Sequence, residues 1–332
     1  MTGASASPHA GDDAARLDVE AYLGHLTTAR RYSPHTIAGY RLELQALLGV
    51  LDGQSWSALQ EAGVRRWVAR ASRDGLAPRS IARRLSCWRG FYDWLAEQQQ
   101  VIANPVRGVR APKSPKRLPK ALPPDMALQL VDYAPTEVGD GLRDKAIIEL
   151  LYSSGLRLSE LIGLDVRYVE DGDYRSTGWI DLEQAEATVL GKGGKSRTVP
   201  VGTAARDALT AWLAERARQV DASMPMQRAA RAPGDRHALF LGRRGARIAA
   251  RVVQSAVKRL AQQRGLAANV HPHVMRHSFA SHLLQSSGDL RAVQELLGHA
   301  SIATTQVYTS LDFQRLAAVY DAAHPRARRK AG

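Results

Sequence analysis

The segment LLYSSGLRLSELIGL, residues 150–164, decides how the rest of the chain is interpreted. It places Arg157 and Glu160 three residues apart, beside a glycine, and its apolar spacing predicts a helix that the glycine opens. Taken alone, the two charges are also compatible with an ordinary surface ion pair, since arginine and glutamate at this spacing often interact. Their meaning depends on the segments that follow.

The first of these segments predicts a β-hairpin. Alternating apolar residues at 178–182 and 187–201 are typical of strands, and the glycine-rich stretch at 191–194 interrupts the second run as a turn. This pattern places Lys192 at the tip, with Lys195 just behind it. A lysine in an exposed turn is usually solvated, so the hairpin by itself does not indicate a site.

A histidine-rich segment, HPHVMRH at residues 271–277, puts His273 and Arg276 on one face of a predicted helix. The histidines could suggest zinc, but the HExxH spacing and cysteine ligands are both lacking. We therefore predict no metal, and we interpret His271 and His277 as structural.

Two further signals follow at short distance. The segment LLGH ends a predicted helix at Gly298 and leaves His299 at the helix exit. Tyr308 comes nine residues later, in the segment TTQVYT. Each signal is modest alone, and their order along one chain is what makes them informative.

Composition bounds the function. The chain has 332 residues with 46 Lys and Arg against 32 Asp and Glu, a formal charge of +14. Such a charge predicts attraction to nucleic acid, although a basic surface can also serve solubility alone. The single cysteine, Cys87, excludes a disulfide framework. The sequence has neither a long apolar run nor a secretory signal pattern at its start, so we expect a cytoplasmic protein without a membrane segment.

The pattern along the chain predicts two domains. Residues 1–13 are interpreted as a disordered tail, residues 14–100 as a helical DNA-binding bundle, and residues 101–122 as an extended linker rich in Pro, Lys and Arg. Residues 123–332 follow as a domain with both helices and strands. The expected class is mainly α with a small β-sheet.

Basic residues on two predicted helices are candidates for DNA contacts, because arginine and lysine on a polar helix face suit phosphate oxygens and base edges. The candidates are Arg79, Arg83, Arg84, Arg89, Arg247, Arg251 and Lys258.

Together, and in this order, these segments resemble the tyrosine recombinase family. The resemblance covers nearly the whole chain and implies an N-terminal SAM-like core-binding bundle followed by a mixed α/β catalytic domain. It selects Lys192 over Lys195 by its place in the hairpin. It also implies the catalytic set, with Tyr308 as the nucleophile: Arg157, Lys192, His273, Arg276, His299 and Tyr308.

The resemblance implies strand cleavage and rejoining through a 3′-phosphotyrosyl intermediate, without a cofactor. The implied partners are a double-stranded recombination site, a second recombinase of the same family in a heterotetramer, and a DNA translocase. The C-terminal helix at 312–323 has an apolar stripe that includes Leu316 and Tyr320. The stripe fits burial either in its own domain or in a neighbouring protomer, and the resemblance implies the neighbour. Alternatives are another branch of the family, a type IB topoisomerase, or a DNA-binding regulator without catalysis.

Overall fold

The computed structural model divides the chain into two compact units, Met1–Arg117 and Leu118–Gly332. Each unit has its own hydrophobic core. The prediction of a mainly helical protein with a small β-sheet is confirmed. The structure describes residues 8–113, 121–135, 139–190, 196–222, 233–266, 270–298 and 310–327.

The first unit is a helical bundle. Its helices are α1 (Pro8–Thr28), α2 (Pro34–Leu51), α3 (Glu61–Arg73) and α4 (Pro78–Glu97), with a short 3₁₀ helix at Trp56–Ala58. Helix α2 begins as predicted, because the Ser33 hydroxyl accepts a hydrogen bond from the Thr36 amide and Pro34 occupies the first turn. The predicted inner face of α4 is buried around Trp88, which is fully enclosed.

Two predictions at the edges of this bundle are wrong. Helix α1 begins at Pro8, so residues 8–13 are helical, because proline in the first turn and the alanines after it favour a helix. Residues 101–111 do not form an extended spacer. They turn back on the bundle, where Val101, Val106 and Val109 are buried in its core.

The second unit combines helices with two small sheets. Its helices in chain order are α5 (Pro124–Val131), α6 (Asp140–Ser154), α7 (Leu158–Ile162), α8 (Thr203–Ala222), α9 (Ala250–Gln263), α10 (Pro272–Ser287), α11 (Leu290–Leu297) and α12 (Ser310–Ala323), with a 3₁₀ helix at Pro233–His237. Helix α6 is almost wholly buried and packs against α5, α8, α9 and α10, so it forms the centre of the core.

The sheet has the order β3 (Gly178–Asp181), β4 (Glu186–Leu190), β5 (Ser196–Pro200) and is antiparallel. The predicted strands are therefore confirmed. Leu190 pairs with Ser196 at the end of the β4–β5 hairpin next to the predicted turn, and that turn, at 191–194, lies outside the described residues. A short pair that the sequence analysis missed, β1 (Glu170–Asp171) and β2 (Tyr174–Arg175), precedes the sheet.

The C-terminal segment of this single chain folds onto its own domain, one of the two expected surfaces, and docking on a neighbour stays a prediction. Leu316 and Tyr320 of α12 are buried against α10 and α11 in the same chain. Beyond the helix, Arg326 forms an ion pair with Glu149, which is fully buried in α6, and the Thr203 hydroxyl donates to the Ala327 carbonyl. Apolar burial and a buried ion pair thus hold the segment in place.

Candidate active site

One buried carboxylate, that of Glu160 in α7, organises the site. Its two oxygens accept hydrogen bonds from Arg197 at 2.8 Å each, and one of them accepts from Arg157 Nη1 at 2.7 Å. Burial alone would raise the pKa of Glu160, but the hydrogen bonds and charge of Arg197, joined by those of Arg157, lower it to about 2. The carboxylate is therefore ionised at neutral pH.

Arg157 is held at the start of α7, but the glycine two residues earlier does not open that helix as predicted. The glycine before it, Gly155, ends α6 in the left-handed conformation instead of opening a helix. Arg157 is the extended N-cap residue of α7, and its amide donates to Glu160 Oε2 at 2.8 Å. The Arg157 side chain keeps about a third of its surface exposed, so it can reach a ligand.

Arg276 joins the same cluster from α10. Its guanidinium donates to the carbonyls of Gly155 and Leu297 and lies 3.9 Å from Glu160 Oε2. Burial lowers its pKa to about 10, and the nearby Arg157 adds to this shift. At neutral pH the side chain remains positively charged.

Three arginines meet at the C-terminus of α11. Arg197 Nε donates to Leu296 O at 3.0 Å, Arg276 to Leu297 O, and Arg157 Nη2 to Gly298 O at 3.2 Å. These carbonyls lack partners within the helix and carry its negative dipole end. Three guanidiniums against one carboxylate leave an excess of two positive charges, which is suited to an anion such as a phosphodiester.

The structure brings together only part of the predicted catalytic set. His273 lies one turn before Arg276 on α10 and is exposed. Lys192, His299 and Tyr308 lie outside the described residues. Their flanks are described: Gly298 ends α11 in the left-handed conformation just before His299, as predicted.

Sequence reasoning missed Arg197 as a member of the site. Its side chain is only 6% exposed and bonds Glu160, a residue 37 positions away. The available signal was the segment RTVPV, in which Arg197 shares one face of the strand with Val199 and Val201.

The candidate DNA contacts fall into two groups. Arg79, Arg251 and Lys258 are exposed on α4 and α9. Arg83 and Arg84 both pair with Glu43, a carboxylate of α2 that is 4% exposed, so their joint charge is partly neutralised.

The remaining two candidates are engaged within the protein. Arg89 donates to the Val109 carbonyl at 3.3 Å. Arg247 points into the fold: it donates to the buried Asp165 at 2.7 Å and to the hydroxyl of Tyr174 at 2.9 Å, and also to backbone carbonyls. These bonds use its Nη1 and Nη2 donors within the protein, so the structure favours a structural link at this position, and a DNA contact there stays a prediction.

The residues that the structure describes lack two features of other protein classes. Within them, no group of three or more His, Cys, Asp or Glu side chains is placed to hold a metal ion. Of the helices described there, none combines the length and the apolar character that crossing a bilayer requires.

Comparisons with known proteins agree over almost the full length. Residues 120–315 match the model of the phage integrase family, and residues 19–99 match the phage integrase N-terminal SAM-like domain. The chain is 56% identical over 319 residues to tyrosine recombinase XerC 1 of Ralstonia nicotianae, covering 94% of both chains. It is 49% identical to tyrosine recombinase XerC of Pseudomonas aeruginosa, covering 95% of this chain and 97% of that protein.

A solved structure shares the fold at low identity. The crystal structure of lambda integrase residues 75–356 bound to DNA matches with a TM-score of 0.60 and 16% identity, covering 91% of this chain and 96% of that one. The predicted two-part architecture, a SAM-like bundle followed by a mixed α/β domain, is thereby confirmed.

Proposed function

This chain belongs to the phage integrase family and is a site-specific recombinase with a tyrosine nucleophile, and from that premise we propose that the nucleophile is Tyr308. Its phenolic oxygen attacks the scissile phosphorus, the bond from phosphorus to the 5′ oxygen breaks, and a 3′-phosphotyrosyl link remains. The covalent intermediate conserves the phosphodiester bond energy, so the 5′-hydroxyl of another strand can reverse the step.

Five residues assist this reaction. Arg157 and Arg276 bind the non-bridging oxygens, where negative charge builds in the transition state, and His299 adds a further donor. Lys192 gives a proton to the departing 5′ oxygen. His273 accepts the tyrosine proton, which is needed because a phenol with an ordinary pKa near 10 is protonated at neutral pH.

The arginine cluster is the observation that carries this proposal. Arg157 and Arg276 come from segments 119 residues apart, yet both approach Glu160 and bond successive carbonyls at the end of α11. Two rigidly held guanidiniums with excess positive charge can bind a phosphate in a fixed orientation. The exposed His273 on the same helix as Arg276 supports a proton-transfer group beside them.

Both units contribute to binding of double-stranded DNA in this proposal. Arg79, Arg251 and Lys258 are exposed and provide phosphate or base contacts, with Arg83 and Arg84 partly neutralised by Glu43. Because the contacts are ionic, binding weakens steeply as salt concentration rises. The proposed domains are a core-binding bundle at 14–100, extended by the start of α1 and by residues 101–111, which pack on it, then the rest of the connection at 101–122, and a catalytic domain from 123 onward.

The similarity to XerC proteins supports the finer proposal of a cellular role. We propose that the protein acts in the cytoplasm with a XerD-type recombinase, as a heterotetramer on DNA. There it resolves chromosome and plasmid dimers at cell division, and a FtsK-type translocase activates the exchange.

Covalent trapping tests the proposed nucleophile. The protein is mixed, without nucleotide, with a nicked duplex that carries the candidate chromosomal recombination site, and products are separated on denaturing gels. Wild type and a Tyr168→Phe control, which alters an exposed tyrosine on the surface, are expected to form a 3′-linked adduct, whereas Tyr308→Phe forms none.

Each other outcome has a defined meaning. An adduct that persists in Tyr308→Phe shows that another tyrosine is the nucleophile. If wild type binds the site but forms no adduct, the assay is repeated with a XerD-type partner, and continued absence of adduct contradicts the proposal.

A further inference from the structure

Arg197 lies where the β4–β5 hairpin, α7 and the end of α11 meet. It is the second residue of β5, three positions after the end of the predicted turn that carries Lys192. Its guanidinium grips Glu160 of α7 through two hydrogen bonds of 2.8 Å, and its Nε donates to Leu296 O at the end of α11. One buried side chain thus links the hairpin, α7 and the helix that precedes His299.

We propose that Arg197 is a positioning residue for recombination: it neutralises and orients Glu160 and fixes the end of α11, so that Arg157 and Arg276, which contact both, are held in place for the scissile phosphate. This inference rests on the proposed function. Arg197 itself does not touch the DNA, because its side chain is 6% exposed and its donors are used within the protein.

The charge balance explains why a separate arginine is needed. Glu160 accepts from Arg157 and lies 3.9 Å from Arg276, so an unshared carboxylate would draw both guanidiniums towards itself. The fork of Arg197 takes both carboxylate oxygens in the geometry that best satisfies them. Arg157 and Arg276 then retain their positive charge for the phosphate.

Packing shows that the position is tightly specified. A Cβ placed on Gly298 would lie 3.0 Å from Arg197 Cδ and 3.1 Å from its Nε. Gly298 also has a positive φ of 62°, which favours glycine. The guanidinium therefore lies directly against Gly298, and a shift of either would move the other.

A purely structural role would predict loss of stability alone, so the test measures the chemical step. Single-turnover cleavage of the nicked duplex is followed from pH 5.5 to 8.5 for wild type, Arg197→Met and Arg197→Lys, with DNA affinity and melting temperature measured in parallel. Arg259→Met is the matched control, because it removes an arginine from Asp144, another buried carboxylate of the same unit.

We expect Arg197→Met to bind DNA within about threefold of wild type and to cleave about 10–100-fold more slowly, the range typical of residues that orient a reacting group. Its rate should also fall at the acid end of the pH range, because Glu160 faces Arg157, Arg276 and Arg197, and loss of the last lets burial raise its pKa. Arg197→Lys should recover part of the rate, and the double variant Glu160→Gln/Arg197→Met should lack the acid limb.

A wild-type rate and pH profile in Arg197→Met would overturn the inference. If that variant does not fold, Arg197→Lys decides: it is expected to cleave several-fold more slowly while folded, and an unchanged rate refutes the positioning role. If Arg259→Met slowed cleavage equally, the effect of Arg197→Met would reflect a general loss of stability, and the positioning role would be rejected. Failure of the wild type to form any adduct, also in the presence of a XerD-type partner, would instead reject the proposed function, and this inference with it.

Discussion

Replacing Arg326 by methionine tests how the C-terminal segment is held on its own domain. Arg326 Nε donates to Glu149 Oε2 at 3.0 Å, and its Nη2 bonds the other carboxylate oxygen. Glu149 is fully buried, and its only other ion pair described is with Lys145, at 2.9 Å. Methionine keeps the apolar length of the side chain but removes the charge.

The expected loss of unfolding free energy follows from the burial of Glu149. Removing one partner of a buried ion pair costs about 3–5 kcal/mol, because a charge remains in a low-dielectric site without its counter-ion. Lys145 still contacts Glu149, so we expect the lower end, about 3 kcal/mol of unfolding free energy. The double variant Arg326→Met/Glu149→Gln removes the carboxylate together with its arginine. Its unfolding free energy should therefore be at least about 1 kcal/mol higher than that of Arg326→Met.

Hydrogen exchange mass spectrometry in increasing urea is the suitable assay, because it follows peptides of α6 and α12 separately from the first unit. The control is Arg218→Met, which breaks an ion pair to Glu215 in which the arginine is 69% exposed. That change should cost less than about 1 kcal/mol. A loss of less than about 1 kcal/mol in Arg326→Met would refute the reasoning.

Three further outcomes follow from the structure. Gly155→Ala should lower the unfolding free energy by about 2–4 kcal/mol, because its φ is +58° and the new Cβ would lie 2.3 Å from Phe279 Cδ1. Gly288→Ala, with a φ of +67° and nothing within 4 Å, should cost only about 1 kcal/mol in the same urea titration, and equal losses would contradict the steric argument. The pKa of Glu160, about 2 in the folded chain against an ordinary 4.5, means that its stabilisation is complete above about pH 4.5 and is lost as pH falls through about 2. The stability gap between wild type and Glu160→Gln should therefore narrow by roughly 3 kcal/mol over that range, and a gap independent of pH would count against the ion pair. Burial, joined by the charge of Glu43, raises the pKa of Cys87 to about 12, so iodoacetamide should label it only after unfolding; rapid labelling of the native chain would contradict its burial.

Local signals in the sequence predicted local structure well. The apolar spacing of α4 identified its buried face, and the Ser33–Pro34 pair identified the start of α2. Gly298 identified the end of α11. These features depend on neighbouring residues, whose contacts are fixed by helix geometry, so the sequence carries them directly.

Long-range contacts were beyond the same reasoning. Arg247 and Arg251 lie four residues apart and look equivalent in the sequence, yet only Arg247 turns inward to a carboxylate 82 positions earlier. Arg197 and the Arg326–Glu149 pair are similar cases. A buried arginine differs from a solvated one only through the partners that tertiary folding brings to it. For the same reason, the apolar stripe of α12 could not reveal which surface it covers.

At the end of α11, backbone carbonyls of the uncomplexed protein bind the arginines that are proposed to bind the DNA phosphate. A helix C-terminus carries about half a negative charge, and three successive carbonyls here hold Arg197, Arg276 and Arg157 before any DNA arrives. In the proposed mechanism a phosphodiester, which carries a full negative charge, replaces these carbonyls as the partner of Arg157 and Arg276. The conformational entropy of these two long side chains is thus lost during folding rather than on binding. In this proposal DNA binding only exchanges the partners of guanidiniums that are already in place.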